Sequence, residues 1–350
     1  MGSPDKAIYI GPKNELFLKE YRDPYEPGND QALVQVQYSG VNPADLKHGL
    51  EFGLNDYVCG YEFSGKIIRA GKGFPYEVGD EIYGSKKIGL GSEFGAHQDL
   101  LLAEGNTLIA KRPSTIPSEA AAAMSLVVRT AADALFNIMA IPFAKINAAG
   151  KPSKSGILVW GGGSAVGWAA VQLAKAAGLS PIITTASASN HQSLKELGAT
   201  HCFDYRDDDV VVKIQDVIDA SGQPLKYIFD AVCSRGQASS TSSCDALKTA
   251  TDAIFVGTLP VLSDQRQWIW CLAARAWELH LPPPIGHVPA NEEWESRLVD
   301  IVSWVADHYE RGFRIPNLRV IEGVEAAIAA IKSSGEGKIR FEKVVIKHPF

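Results

Sequence analysis

The stretch Gly156-Ile157-Leu158-Val159-Trp160-Gly161-Gly162-Gly163-Ser164-Ala165-Val166-Gly167 carries the strongest structural signal in this chain. A short apolar run ends in a glycine-rich turn. The next residues, Trp168 to Ala177, follow a helical pattern closed by Gly178. This is the strand, tight turn and helix entrance of a dinucleotide-binding unit. Glycines there let the backbone approach a pyrophosphate, and the helix N-terminus offers unpaired N–H groups to the anion. Read as G-x-G-x-x-G, Gly162 and Gly167 fit, while Ser164 replaces the middle glycine. A motif of this kind needs the surrounding elements to support it.

Working outward, further strands are expected at Pro181-Ile182-Ile183-Thr184-Thr185-Ala186, near His201-Cys202-Phe203, at Tyr227 to Val232 and at Ala253 to Gly257. Helical stretches separate them. That alternation predicts a parallel sheet covered on both faces. The end of the second strand addresses which dinucleotide is bound. An NAD site usually places Asp or Glu there to take the ribose hydroxyls. Residues 180–195 contain no acidic group before Lys195, and offer Ser187, Ser189, Asn190 and His191. Such groups can bond a 2′-phosphate without repelling it, which favours NADPH.

The flanking chain has a different texture. Up to about Arg112 it is rich in strands and turns, with Leu33 to Tyr38 alternating at period two. Residues 113–139 turn helical and alanine-rich. Residues 142–155 read as a surface connector, and Pro282-Pro283-Pro284-Ile285-Gly286 as a breaker. The tail predicts a helix near 292–309, a strand near 318–321, a helix near 324–333 and a closing strand at 343–347. At 350 residues the chain can bury two cores. With 46% hydrophobic and 21% charged residues it has ordinary globular composition, and a net charge of −6 argues against nucleic acid. No apolar run is expected to reach membrane-spanning length, and the start lacks a signal-peptide pattern, so a cytoplasmic protein is expected. The five cysteines form no C-x-x-C pair and suit reduced thiols, with Cys202 expected in the core.

The chain resembles the medium-chain dehydrogenases/reductases, in their zinc-free quinone-reductase-like branch. The marks are Gly40-Val41-Asn42-Pro43-Ala44-Asp45-Leu46-Lys47, Gly60-Tyr61-Glu62-Phe63-Ser64-Gly65, Val78-Gly79-Asp80-Glu81-Ile82-Tyr83-Gly84, Gly95-Ala96-His97-Gln98, and Leu197-Gly198-Ala199 leading to Asp204-Tyr205. The resemblance implies an α/β protein: a GroES-like, mainly-β catalytic domain from residues 1–124, a Rossmann domain from 125–280 with a doubly wound parallel sheet, and a tail, 281–350, returning to the catalytic domain. Zinc-dependent members carry cysteine where Asn42 stands and a His-Glu pair where Tyr61-Glu62 stands. Only Glu62 is retained, so no catalytic metal is expected and Glu62 reads as a structural carboxylate. The implied chemistry is reduction of a conjugated C=C bond.

Within that branch the chain is similar to fungal enoyl reductases that act in trans on polyketide synthases, the lovastatin-pathway type. That similarity implies Lys47 and Thr130 as catalytic residues. It implies cofactor contacts from Pro43, Ala44, Asp45 and Leu46, from Gly161, Gly162, Gly163, Ser164, Ala165, Val166 and Gly167, from Ser187, Ala188, Ser189, Asn190 and Tyr205, and from Gly257, Thr258, Arg340 and Phe341. Loops at 259–270 and 282–288 are expected to meet substrate. By its residues alone, Lys47 could equally be a solvated surface charge, and Thr130 a core hydroxyl bonding the preceding turn. Arg266, Trp268 and Trp270 could line a tunnel or one face of an amphipathic helix. Three functions compete. They are an NADPH-dependent enoyl reductase on carrier-bound polyketide, a free-standing reductase of quinones or small enones, and an NADPH-binding member without net redox. A monomer or homodimer without membrane or nucleic-acid partners is expected.

Overall fold

The structure, a computed structural model, describes residues 4–21, 25–143, 155–222, 224–234, 239–261, 263–281 and 286–350. Most of the expected connector and the Pro282–Ile285 breaker lie outside the described residues. The chain divides into two compact units, residues 1–126 with 317–350, and residues 127–316.

The first unit is mainly β. Its central strand, Gln31–Gly40, pairs antiparallel with Glu62–Ala70, with Leu100–Glu104 and with Lys343–Lys347, and Leu318–Ile321 then joins the last in parallel. The period-two pattern works as expected. Ala32, Val34 and Val36 enter one core with Phe63, Ile67, Ile82 and Leu101, while Leu33 joins Phe94 and Leu102 in another. A third cluster joins Ile8, Ile10 and Val41 to Ala327, Ile331 and Val344, and so binds the C-terminal tail to the N-terminal strands. Burial of these apolar side chains is the main favourable term holding the tail in place.

The second unit carries a six-stranded parallel sheet. In spatial order its strands are His201–Phe203, Ile182–Thr185, Ile157–Trp160, Tyr227–Asp230, Ile254–Gly257 and Trp268–Trp270. The order reverses beside Ile157–Trp160, the topological switch point at which such sheets bind ligands. Leu158, Trp160, Ile183, Ile228 and Phe255 pack on Ile214 and Ile218 of the helix Val210–Ala220.

Four expectations are corrected. The return to the first unit comes at Asn317 rather than 281, because the helix Glu292–Asp307 is tied into the second unit. Arg297 Nη1 donates to Phe136 O at 3.1 Å and to Asn137 Oδ1 at 2.9 Å. Trp268 and Trp270 lie on the sixth strand, not on a helix; a three-residue strand is too short to show a period. Cys202 is half-buried, since its strand forms the sheet edge. Finally, the 21-residue helical stretch Ser118–Ile138 is long and apolar enough to cross a membrane by length and composition, although most of it is buried within the protein.

Candidate active site

In the first unit, the turn before the helix Ala44–Phe52 is held from below. Asn42 is buried; its Nδ2 donates to Glu62 Oε1 at 2.9 Å, and its Oδ1 accepts from Lys343 Nζ at 2.6 Å. Lys343 also donates to Val41 O at 3.0 Å and ion-pairs with Glu62 at 2.6 Å. The second Glu62 oxygen accepts the Leu126 N–H at 3.0 Å. Glu62 is therefore a structural carboxylate whose neighbouring cation is a lysine.

Asp45, fully buried, accepts the Asn42 N–H at 2.7 Å and pairs with His97 Nε2 at 3.1 Å. His97 Nδ1 lies 2.8 Å from Ser39 Oγ, which lies 2.9 Å from His348 Nε2, and His348 Nδ1 lies 3.3 Å from Asp99 Oδ1. Asp45 is thus tied into this internal chain at the start of the helix that carries Lys47. Lys47 is half-buried on the helix Ala44–Phe52; Pro43 is exposed, and Leu46 packs on the C-terminal helix Val324–Gly335. Arg340 is exposed, and Phe341 sits at φ 53°, a left-handed conformation that bulky residues rarely adopt.

A second cluster was invisible in the sequence. His48 Nδ1 lies 2.8 Å from Tyr61 Oη, which lies 2.9 Å from Tyr57 Oη. The Lys86 ammonium stands 4.3 Å from the Tyr57 ring centroid and 5.1 Å from that of Tyr61, with no hydrogen-bond partner among the described residues. Burial pushes Lys86 down to about 8 and His48 down to about 4. The π faces supply part of the attraction that water would otherwise give the ammonium.

In the second unit, the glycine loop follows the strand Ile157–Trp160 directly. Gly161 adopts φ 87°, a conformation that favours glycine. A Cβ on Gly162 would collide with Thr184 Oγ1, and one on Gly167 with Gly161 O. Ser164, the departure from the motif, caps the helix Ala165–Ala176 by accepting the Gly167 N–H at 3.0 Å. A Cβ on Gly163 would stand at ordinary contact distance, 3.7 Å from Asn190 Nδ2 and 3.8 Å from Ala186 Cβ. With Ala165 and Val166 in the first helical turn, where N–H groups lack intrahelical acceptors, this loop fits a pyrophosphate.

Ser187, Ala188, Ser189 and Asn190 form a short 3-10 turn after the second strand. A carboxylate does approach it from the next strand: Asp204 Oδ2 accepts the Ala188 N–H at 3.2 Å. Arg206 neutralises that charge, its Nε donating to Asp204 Oδ1 at 2.8 Å and its guanidinium standing 5.7 Å from the Tyr205 ring. This pairing holds the Asp204 carboxyl far below the usual range. Gly257 and Thr258 end the fifth strand. The Thr258 N–H donates to Asp230 O at 3.1 Å, and the Trp270 indole donates to Thr258 O at 3.0 Å.

Thr130 lies half-buried on the helix Ser125–Ala132. Two buried ion pairs anchor that helix and its continuation, Arg129–Glu295 and Asp133–Arg275, the latter at 2.6 Å. The Arg129 Nε also donates to Ala273 O at 2.6 Å. The implied site residues thus fall into two groups, one per unit: residues 43–47 with 340–341, and the glycine loop with Thr130, Ser187–Asn190, Tyr205, Gly257 and Thr258.

A GroES-like β unit joined to a dinucleotide-binding sheet defines a medium-chain dehydrogenase/reductase. Residues 28–122 match the alcohol dehydrogenase GroES-like domain, and residues 165–269 the zinc-binding dehydrogenase domain. The trans-enoyl reductase tazE of Aspergillus terreus is 31% identical over 245 residues, covering 65% of this chain and 76% of that protein. The trans-enoyl reductase himH of Aspergillus japonicus is 31% identical over 242 residues, so this chain spans 66% of its length. The trans-enoyl reductase milB of Cordyceps militaris is 26% identical over 360 residues and 97% of both chains. Among solved structures, the fold is shared with a quinone oxidoreductase from Coxiella burnetii (24% identity, TM-score 0.71, 99% of both chains) and with CurK enoyl reductase (18% identity, TM-score 0.72, 99% of this chain and 100% of that one). The chain belongs to the trans-enoyl reductases of the medium-chain dehydrogenase/reductase family.

Proposed function

We propose that this chain is an NADPH-dependent enoyl reductase acting in trans on the conjugated C=C bond of a thioester carried by a separate polyketide synthase. The observation that carries this reading is the set of relatives named trans-enoyl reductases, one matched along 97% of both chains. The glycine loop, where a Cβ on Gly162 or Gly167 would collide with its neighbours, supports dinucleotide binding, and the turn Ser187–Asn190, whose nearby carboxylate Asp204 is paired with Arg206, supports the 2′-phosphate form.

When bound, NADPH supplies a hydride. The Gly163–Val166 backbone holds the pyrophosphate, and Ser187, Ser189, Asn190 and Tyr205 hold the 2′-phosphate. Lys47 answers the negative charge that develops on the thioester carbonyl oxygen as the β-carbon is reduced; a donor there acts mainly in the transition state. Thr130 orients the ring-binding side of the site from its anchored helix. Solvent protonates the α-carbon. The test offers an enoyl thioester and a simple quinone side by side and follows NADPH consumption. Turnover of the thioester is the expected result. Turnover of the quinone alone would make the chain a small-molecule reductase. NADPH binding without consumption of either substrate would make it a non-redox member.

A further inference from the structure

The strands Leu279–Leu281 and Gly286–Val288 form a two-stranded antiparallel sheet of their own. His280 and His287 are direct cross-strand partners in it, with their rings stacked at a centroid distance of 4.8 Å. Glu278 sits one residue before the first strand. Its Oε1 lies 3.7 Å from His280 Nε2 and its Oε2 lies 3.2 Å from His287 Nε2. The three ligand atoms all fall within 4.8 Å of one another. Among the described residues this is the only group of three histidine, cysteine or carboxylate side chains so arranged.

We propose that Glu278, His280 and His287 form a surface site for a divalent transition metal of the zinc class, which clips the two strands together. Two imidazoles and one carboxylate are the donor set of zinc rather than of magnesium or calcium, which prefer oxygen. Zinc takes such ligands at about 2.0–2.2 Å, so a single ion can bridge side chains spaced as these are after small rotations. All three side chains are at least 50% exposed and free to make them. Water completes the coordination. The connecting residues Pro282-Pro283-Pro284-Ile285 contain no ligating side chain, so the donor set is complete at three. The physical gain is clear. An isolated two-stranded sheet is marginally stable in water, and a ligand that binds only the paired form stabilises it by mass action.

Among the other described histidines and cysteines, Cys59, Cys233, Cys244, Cys271, His97 and His348 are buried, Cys202, His48, His191 and His308 are half-buried, and His201 is exposed. The experiment is calorimetric titration of the full chain with zinc chloride alone, on the wild type and on the His280→Ala, His287→Ala and Glu278→Gln variants. Thermal melts in the presence and absence of zinc accompany each titration. The wild type binds one zinc per chain and melts at a higher temperature with it. Each histidine variant folds normally without zinc but binds it about tenfold or more weakly, as removal of a ligand requires. Absence of zinc binding in the wild type would overturn the assignment. So would undiminished affinity in both histidine variants, which would mean zinc sits elsewhere.

Discussion

The Nζ of Lys343 lies 2.6 Å from Glu62 Oε1, and neither side chain is more than 3% exposed. The pair joins the closing strand of the tail to the strand that follows Tyr61, and both side chains bond Asn42, two residues before the helix that carries Lys47. Removing one partner of a buried pair strands the other charge, which costs about 3–5 kcal/mol. Lys343→Met is therefore expected to lower unfolding stability by that amount in urea titration. The double variant Glu62→Gln/Lys343→Met, in which no buried charge is left unpaired, is expected to recover most of the loss. A single variant as stable as the wild type would contradict the ion pair.

Glu62 is paired with a cation of the chain itself, Lys343, and no metal is proposed to act there. Strong chelators are expected to leave the NADPH-dependent rate unchanged. A rate lost on chelation and restored by zinc in the His280→Ala/His287→Ala variant, which lacks the proposed surface site, would contradict this account of Glu62.

Lys86 predicts a pH dependence. Burial lowers its ammonium from 10.5 to about 8. Between these values the unfolded chain binds more protons than the folded one, so this group makes stability rise with pH across the window. Below pH 8 both states are charged and the penalty is complete, amounting to no more than about 3 kcal/mol. Lys86→Met, which keeps the stem, is expected to stabilise the protein at pH 7. It is also expected to remove the part of the rise between pH 8 and 10.5 that Lys86 causes. Urea midpoints of both proteins across that range decide it; parallel profiles would contradict the unpaired ammonium.

Much of this architecture was legible from local pattern. The strand Ile157–Trp160 with its glycine turn, the alternation in Gln31–Gly40 and the tail strands Leu318–Ile321 and Lys343–Lys347 all announce themselves through periodicity and punctuation. The supports of the candidate site do not. Lys343 with Glu62, His348 with Asp99, and Arg129 with Glu295 unite single polar residues from remote segments, and no spacing rule links them. Asp204 and Arg206 were hidden for a related reason. The expected acidic position was the end of the second strand, whereas the carboxylate reaches the Ala188 turn from the third.

Cofactor choice follows from that turn. Ser187→Asp places a carboxylate where the 2′-phosphate is proposed to bind, and is expected to reverse a preference for NADPH over NADH. Arg206→Ala leaves the Asp204 carboxylate without its cation beside the turn and is expected to weaken NADPH more than NADH. Fluorescence titration with both cofactors reads each effect. Equal affinities in the wild type would contradict the NADPH assignment.

Lys47→Ala is expected to lower kcat by about ten- to a thousandfold, the range for loss of one charge-stabilising donor, with a smaller change in NADPH affinity. An unchanged rate would return Lys47 to the role of a solvated surface charge.

The most direct measurement uses NADPH deuterated at C4 together with an α,β-unsaturated thioester. Mass spectrometry and NMR of the product then locate the label. The expected product is a saturated thioester with one deuterium at the β-carbon and a solvent proton at the α-carbon. Unreacted enoyl thioester in the presence of bound NADPH would contradict it, and so would a reduced carbonyl with the C=C bond intact.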